Sequence, residues 1–181
     1  LVSVLVLAAT ANSAEIEPLR TVVDMAVGES RQITLSDGGA VSLELKDVET
    51  VTGPHRGAVR AVMVTLAVDG VEATIEACNY NLPVEVGSAQ VDCPIARPYY
   101  ETSNRDSWAL SENSDARIRL WPAGSPWIRP GTFVYPARQL WFANPTQMGN
   151  EPVYVDGGEI PGRVPVYYHN GLDIGGAESM V

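Results

Sequence analysis

Residues 58 to 77 restrict the fold more than any other stretch of the chain. Ala58-Val59-Arg60-Ala61-Val62-Met63-Val64-Thr65-Leu66-Ala67-Val68 and Val71-Glu72-Ala73-Thr74-Ile75-Glu76-Ala77 are rich in Val, Ile and Thr, and Asp69-Gly70 lies between them. Branching at Cβ suits a pleated surface, and an Asp-Gly pair supplies the two positive φ angles of a two-residue type I′ turn. The stretch is therefore predicted to be a β-hairpin. A lone hairpin is marginal in water, so it needs further strands to cover its apolar face.

Such strands are legible elsewhere. Arg31 to Leu35 and Ala40 to Leu45 alternate about Ser36-Asp37-Gly38-Gly39, a second hairpin with Val41, Leu43 and Leu45 on its buried face. Val84 to Val91 reads as one short strand running up to Cys93, and Arg117 to Trp121 alternates as another. Glu17 to Ala26 has mixed character and suits an extended lead-in or one short helix. With no long run of helical period, the expectation is an all-β chain built on a small antiparallel β-sandwich or open barrel.

Composition bounds the partners. The chain is 45% hydrophobic, enough for a core, and its net charge of -10, from 12 basic and 22 acidic residues, argues against a nucleic-acid or anionic-membrane surface. Leu1 to Ala9 is an apolar run too short for a stable membrane span, and small residues follow in Ala9-Thr10-Ala11 and Asn12-Ser13-Ala14. This is the pattern of a partial secretory signal peptide over residues 1–14, and it implies a periplasmic or extracellular protein; the alternative is a buried strand or anchor helix. In an oxidising compartment Cys78 and Cys93, which bracket a short Asn/Pro/Gly-containing segment, are expected to form a disulfide worth about 3 kcal/mol of loop closure. Two buried thiols are the other reading.

The polar stretches offer less. Tyr99, Tyr100 and Trp108 lie in a loop region, where aromatics stack on sugar rings or, as favoured here, cap the β core. Pro122 to Gly131 carries three prolines and two glycines and reads as an ordered loop. Asp24, Asp92, Asp106 and Asp115 read as isolated, solvated carboxylates. Thr132 to Tyr135 and Gln139 to Ala143 are two more short strand candidates, and Asn144 to Pro165 is turn-rich around Val153-Tyr154-Val155. The chain has no Gly-x-Ser-x-Gly elbow, phosphate loop, His-Glu-x-x-His, dinucleotide fingerprint or internal repeat.

One run carries chemistry: Val166-Tyr167-Tyr168-His169-Asn170-Gly171-Leu172-Asp173-Ile174-Gly175-Gly176. In an extended segment His169 and Asp173 leave on the same face, and neutral imidazole and carboxylate are both zinc ligands. The Asn-Gly step is equally a hairpin turn with Tyr167–His169 and Leu172–Ile174 as its arms. The only other histidine is His55, in the polar turn Pro54-His55-Arg56-Gly57.

The run His169-x-Gly171-x-Asp173 with an apolar residue and glycines after it resembles the first zinc-binding motif of the lysostaphin-type metalloendopeptidases of bacterial cell walls. The resemblance implies that His169 and Asp173 are ligands of one Zn²⁺, that a later His-x-His completes the site, and that peptidoglycan peptide is the substrate. This chain has no such later motif. The implied organisation is a β-rich accessory domain over 15–130, a connecting segment over 131–163, and the start of a zinc peptidase domain over 164–181. The fragment, with two ligands, is expected to be inactive alone and to bind zinc weakly; nanomolar binding would instead bring in His55. The alternative is a secreted, non-enzymatic β-sandwich that binds carbohydrate or protein through the 98–130 loops.

Overall fold

A computed structural model describes residues 17–54, 59–78, 81–101, 110–132, 152–154 and 166–168. Four consecutive strands make the first sheet: β2 (Ser30–Thr34), β3 (Ala40–Thr52), β4 (Val59–Val68) and β5 (Val71–Glu76), in that spatial order and antiparallel throughout. Ser36-Asp37-Gly38-Gly39 joins β2 to β3 and Asp69-Gly70 joins β4 to β5 through short turns, as the sequence predicts. Asp69 and Gly70 both take positive φ, 50° and 81°, as the type I′ turn requires.

The second sheet collects strands distant in the chain. Its order is β1 (Thr21–Met25), β8 (Ala116–Pro122), β7 (Ala89–Ala96) and β6 (Val84–Val86), again antiparallel. The mixed segment 17–26 thus settles as a strand, because pairing with β8 satisfies its backbone and sends Met25 into the core. The chain crosses between sheets at Ala26–Glu29. There the Glu29 carboxylate accepts the Ala26 N–H at 3.0 Å, and the Gly28 N–H donates to the Leu45 carbonyl at 2.7 Å.

Neither sheet closes on itself, so the architecture is a sandwich and not a barrel. Both inner faces feed one cluster: Leu43, Leu45, Val64 and Leu66 from the first sheet, Val91, Ile118 and Leu120 from the second. Val41, Leu43 and Leu45 are buried as expected from period-two alternation. The single-turn helix α1 (Pro98–Glu101) presents Tyr99, which is 1% exposed and donates its hydroxyl to the Ala77 carbonyl at 3.1 Å. Tyr99 caps the core.

The segment 84–91 is not one strand. It folds back at Gly87-Ser88, so Val86 pairs with Ala89 and Val84 with Val91. Glycine is demanded there: φ is +58°, and the Val68 carbonyl oxygen lies 2.5 Å from where a Cβ would stand. Outside the sandwich, β9 (Pro152–Tyr154) and β10 (Val166–Tyr168) pair antiparallel as a two-stranded sheet of their own. The expected strands after Thr132 and the arm 172–174 lie outside the described residues, as do the signal-like residues 1–14.

Candidate functional site

In β8 the sequence Ala116-Arg117-Ile118-Arg119-Leu120-Trp121 alternates, so Ile118 and Leu120 enter the core while Arg117, Arg119 and Trp121 share the opposite face. Strand register decides what they meet. Asp24 of β1 lies opposite Arg117, and on the other flank Asp92 and Gln90 of β7 lie opposite Arg119 and Trp121. Each directly opposed pair is within contact distance across the ladder.

Two bidentate ion pairs result. Arg117 Nε donates to Asp24 Oδ1 at 2.6 Å and Nη2 to Oδ2 at 2.8 Å; Arg119 Nε donates to Asp92 Oδ1 at 2.7 Å, with Nη2 on Oδ2. The guanidinium of Arg119 also sits over the Trp121 ring, 5.6 Å from its centroid. Asp24, Asp92 and Asp115 are therefore not isolated surface charges: Asp115 accepts the Val27 N–H at 2.8 Å and pairs with Arg97. Asp106 lies outside the described residues.

The two pairs differ in how far they are withdrawn from water. Burial alone would raise the Asp24 carboxyl, but hydrogen bonds from Arg117 and Ser111 outweigh it and hold the group below the usual carboxylate range. Burial pushes the Asp92 carboxyl up, and Arg119 offsets this only in part. A folded pKa below the unfolded value means that Asp24 contributes stability above the unfolded carboxylate range and loses it as pH falls through the folded value. Asp92 has the opposite sign: its contribution is present below the unfolded value and fades as pH rises through the folded one. Asp24→Asn should accordingly cost about 1 kcal/mol in urea unfolding at pH 7, and the gap from wild type should shrink towards pH 3. A gap that stayed constant with pH would show that ionisation of Asp24 contributes nothing.

Beyond the ion pairs, Gln90 organises the proline-rich loop. Gln90 is 6% exposed; its Nε2 donates to the carbonyls of Pro122 and Ser125 at 2.9 and 2.8 Å, and its Oε1 accepts the Trp127 indole N–H at 2.7 Å. Trp121 Nε1 donates to the Trp127 carbonyl at 2.9 Å. Trp127 is thereby fixed at its indole edge while remaining 39% exposed, with Ile128 beside it at 57%. A ring held in this way offers a face for stacking at little cost in side-chain entropy.

Two concavities flank this sheet. One, of about 370 Å³, opens between the free edges of β5 and β6 and is lined by Ile75, Glu76, Asn81, Leu82, Val84 and Asp92. The other, of about 400 Å³, is polar and lined by Val22, Asp24, Arg31, Ser111 and Arg117. Its cations already face Glu29 and Asp24. Among the described residues no three His, Cys, Asp or Glu side chains converge where a metal ion would sit.

The structure does not carry the expected Cys78–Cys93 disulfide: both residues are buried thiols. Their backbones do meet, the Cys78 N–H donating to the Cys93 carbonyl at 2.9 Å. His169 and Asp173, like His55, lie outside the described residues, one to five positions beyond the end of β10 at Tyr168 in the case of the pair. The Gln90, Arg119 and Trp127 network was not foreseen from sequence, although the Arg-x-Arg-x-Trp alternation of β8 already places three large polar or amphipathic side chains on one face. No family model matches the chain, and neither a curated protein nor a solved structure matches it.

Proposed function

We propose that residues 15–130 form the accessory module of an exported lysostaphin-type zinc metalloendopeptidase, with His169 and Asp173 as two ligands of its zinc. The observation that carries this reading is the run His169-x-Gly171-x-Asp173 placed directly after β10, a strand paired with β9 and with no strand of the sandwich among the described residues. Imidazole and carboxylate suit zinc, but a hydrolytic site takes three protein ligands and an open position, so the pair needs at least one further donor. Zinc so held supplies a Lewis acid for the scissile carbonyl and a more acidic water. The substrate class is peptidoglycan peptide, with glycine-rich cross-bridges first among candidates.

The test is hydrolysis of a glycine-rich cross-bridge peptide by the full-length protein. His169→Ala should lower kcat/KM more than about 100-fold, the upper end for groups one step removed from a metal, while the unfolding midpoint of the sandwich stays put. Unchanged hydrolysis in His169→Ala, or none in the wild type, removes the peptidase reading.

One observation favours a second reading. Trp127, clamped by Gln90 and half-presented to solvent, suits a non-enzymatic sandwich that binds carbohydrate or protein through the 98–130 loops. Loss of glycan binding in Trp127→Ala, with no activity to lose in His169→Ala, would select it.

A further inference from the structure

The cysteines belong to two different layers of the sandwich. Cys78 follows β5, the edge of the first sheet, and Cys93 lies within β7 of the second. The hydrogen bond from the Cys78 N–H to the Cys93 carbonyl, 2.9 Å, brings their backbones side by side. With standard bond lengths on either side of such a bond, the two Cα atoms stand roughly 5–6 Å apart. A disulfide needs about 4.4–6.8 Å. Cys93 also sits at an irregularity of β7, where register with β8 shifts between Asp92 and Ile95. A strand bulged at that point has room to re-aim a side chain without breaking the ladder on either side.

We infer that Cys78 and Cys93 are an oxidisable pair whose cystine staples the two sheets beside the cleft between β5 and β6. The ring it closes contains Asn81, Leu82, Val84 and Asp92 of that cleft's lining, and Glu76 lies two residues before Cys78. Oxidation thus fixes the cleft's width as well as the sheet spacing. The inference does not rest on the peptidase reading.

The order of attack follows from burial. Cys93 is 1% exposed, donates its thiol to the Ile95 carbonyl at 3.2 Å, and burial pushes it up to about 12. It is a poor first nucleophile. Cys78, 5% exposed at the end of its strand, attacks one sulfur of an external disulfide such as oxidised glutathione, whose S–S bond breaks and releases one glutathione thiolate. Cys93 then attacks the Cys78 sulfur of the mixed disulfide, its proton passing to the second departing glutathione thiolate. Two thiols and one oxidised glutathione become one cystine and two reduced glutathiones. Because both sulfurs are shielded, exchange is fast only during folding or local opening around Cys78.

The 181-residue chain should be refolded in oxidised and reduced glutathione, alkylated, digested and weighed. The expected product has lost two hydrogens, yields one peptide pair joined through Cys78 and Cys93, and melts roughly 10 °C higher than the same sample after dithiothreitol. Cys78→Ser and Cys93→Ser should each lose that reductant-dependent difference, and the mass of the wild type decides the matter even where a variant fails to fold. Alkylation of both thiols after refolding in oxidant, a glutathione adduct left on Cys78, or a cystine with no change in melting temperature would each overturn the inference.

Discussion

Asp92→Ala should be among the most damaging substitutions outside the apolar core, costing about 3 kcal/mol in urea unfolding at neutral pH. Asp92 is 4% exposed at its side chain and Arg119 25%, and the two are joined by paired hydrogen bonds. Removal of one partner from a withdrawn ion pair leaves the other charge desolvated and uncompensated, typically at 3–5 kcal/mol. The remaining exposure of Arg119 and its seat over Trp121 place the cost towards the lower end. The signature of the pair is the double variant. Asp92→Leu combined with Arg119→Met removes both charges, and it should recover most of the loss, because desolvation had offset much of the attraction in the first place. A double variant as unstable as Asp92→Ala alone would mean that shape at this position matters and charge does not.

The turn between β6 and β7 gives the second large effect. Gly87→Ala should destabilise by about 2–3 kcal/mol, since alanine resists the positive φ and its Cβ meets the Val68 carbonyl oxygen at 2.5 Å, a backbone atom that cannot swing away. Gly70 is the internal comparison. Its φ is also positive, +81°, but nothing lies within 4 Å of its missing Cβ, so Gly70→Ala should cost only about 1 kcal/mol. Chemical denaturation of the two variants side by side reads the steric part of the Gly87 effect as their difference. Equal costs would show that the approach of Val68 is not what holds β6 in place.

The pattern of what was legible in the sequence follows from range. Asp69-Gly70 and Ser36-Asp37-Gly38-Gly39 announce their hairpins because turn chemistry and alternation are local, whereas the β3–β4 pairing that joins the two hairpins carries register shifts that no local signal marks. The second sheet joins β1 to β8 across most of the sandwich's length, and no local signal marks that pairing. Hence Glu17 to Ala26 stayed ambiguous between strand and helix. Gly87-Ser88 was readable in principle as a two-residue turn with glycine first, but the apolar letters on either side made one strand of a hairpin. Asp24 and Asp92 looked like solvated charges for the same reason: only register brings Arg117 and Arg119 opposite them. Tyr99 could be placed on the core from its surroundings, whereas Trp127 and Gln90 needed the loop geometry. The proposal that His169 and Asp173 hold zinc rests on sequence throughout.

That pair is where the functional account stands or falls, and metal content is the quantity to measure. The full-length protein, purified without chelator and dialysed against metal-free buffer, should retain one zinc per chain, and His169→Ala should retain almost none while its sandwich unfolds at the wild-type midpoint. Zinc absent from the wild type, or equally present in His169→Ala, would contradict the account and leave a β-sandwich whose His169–Asp173 run is a turn.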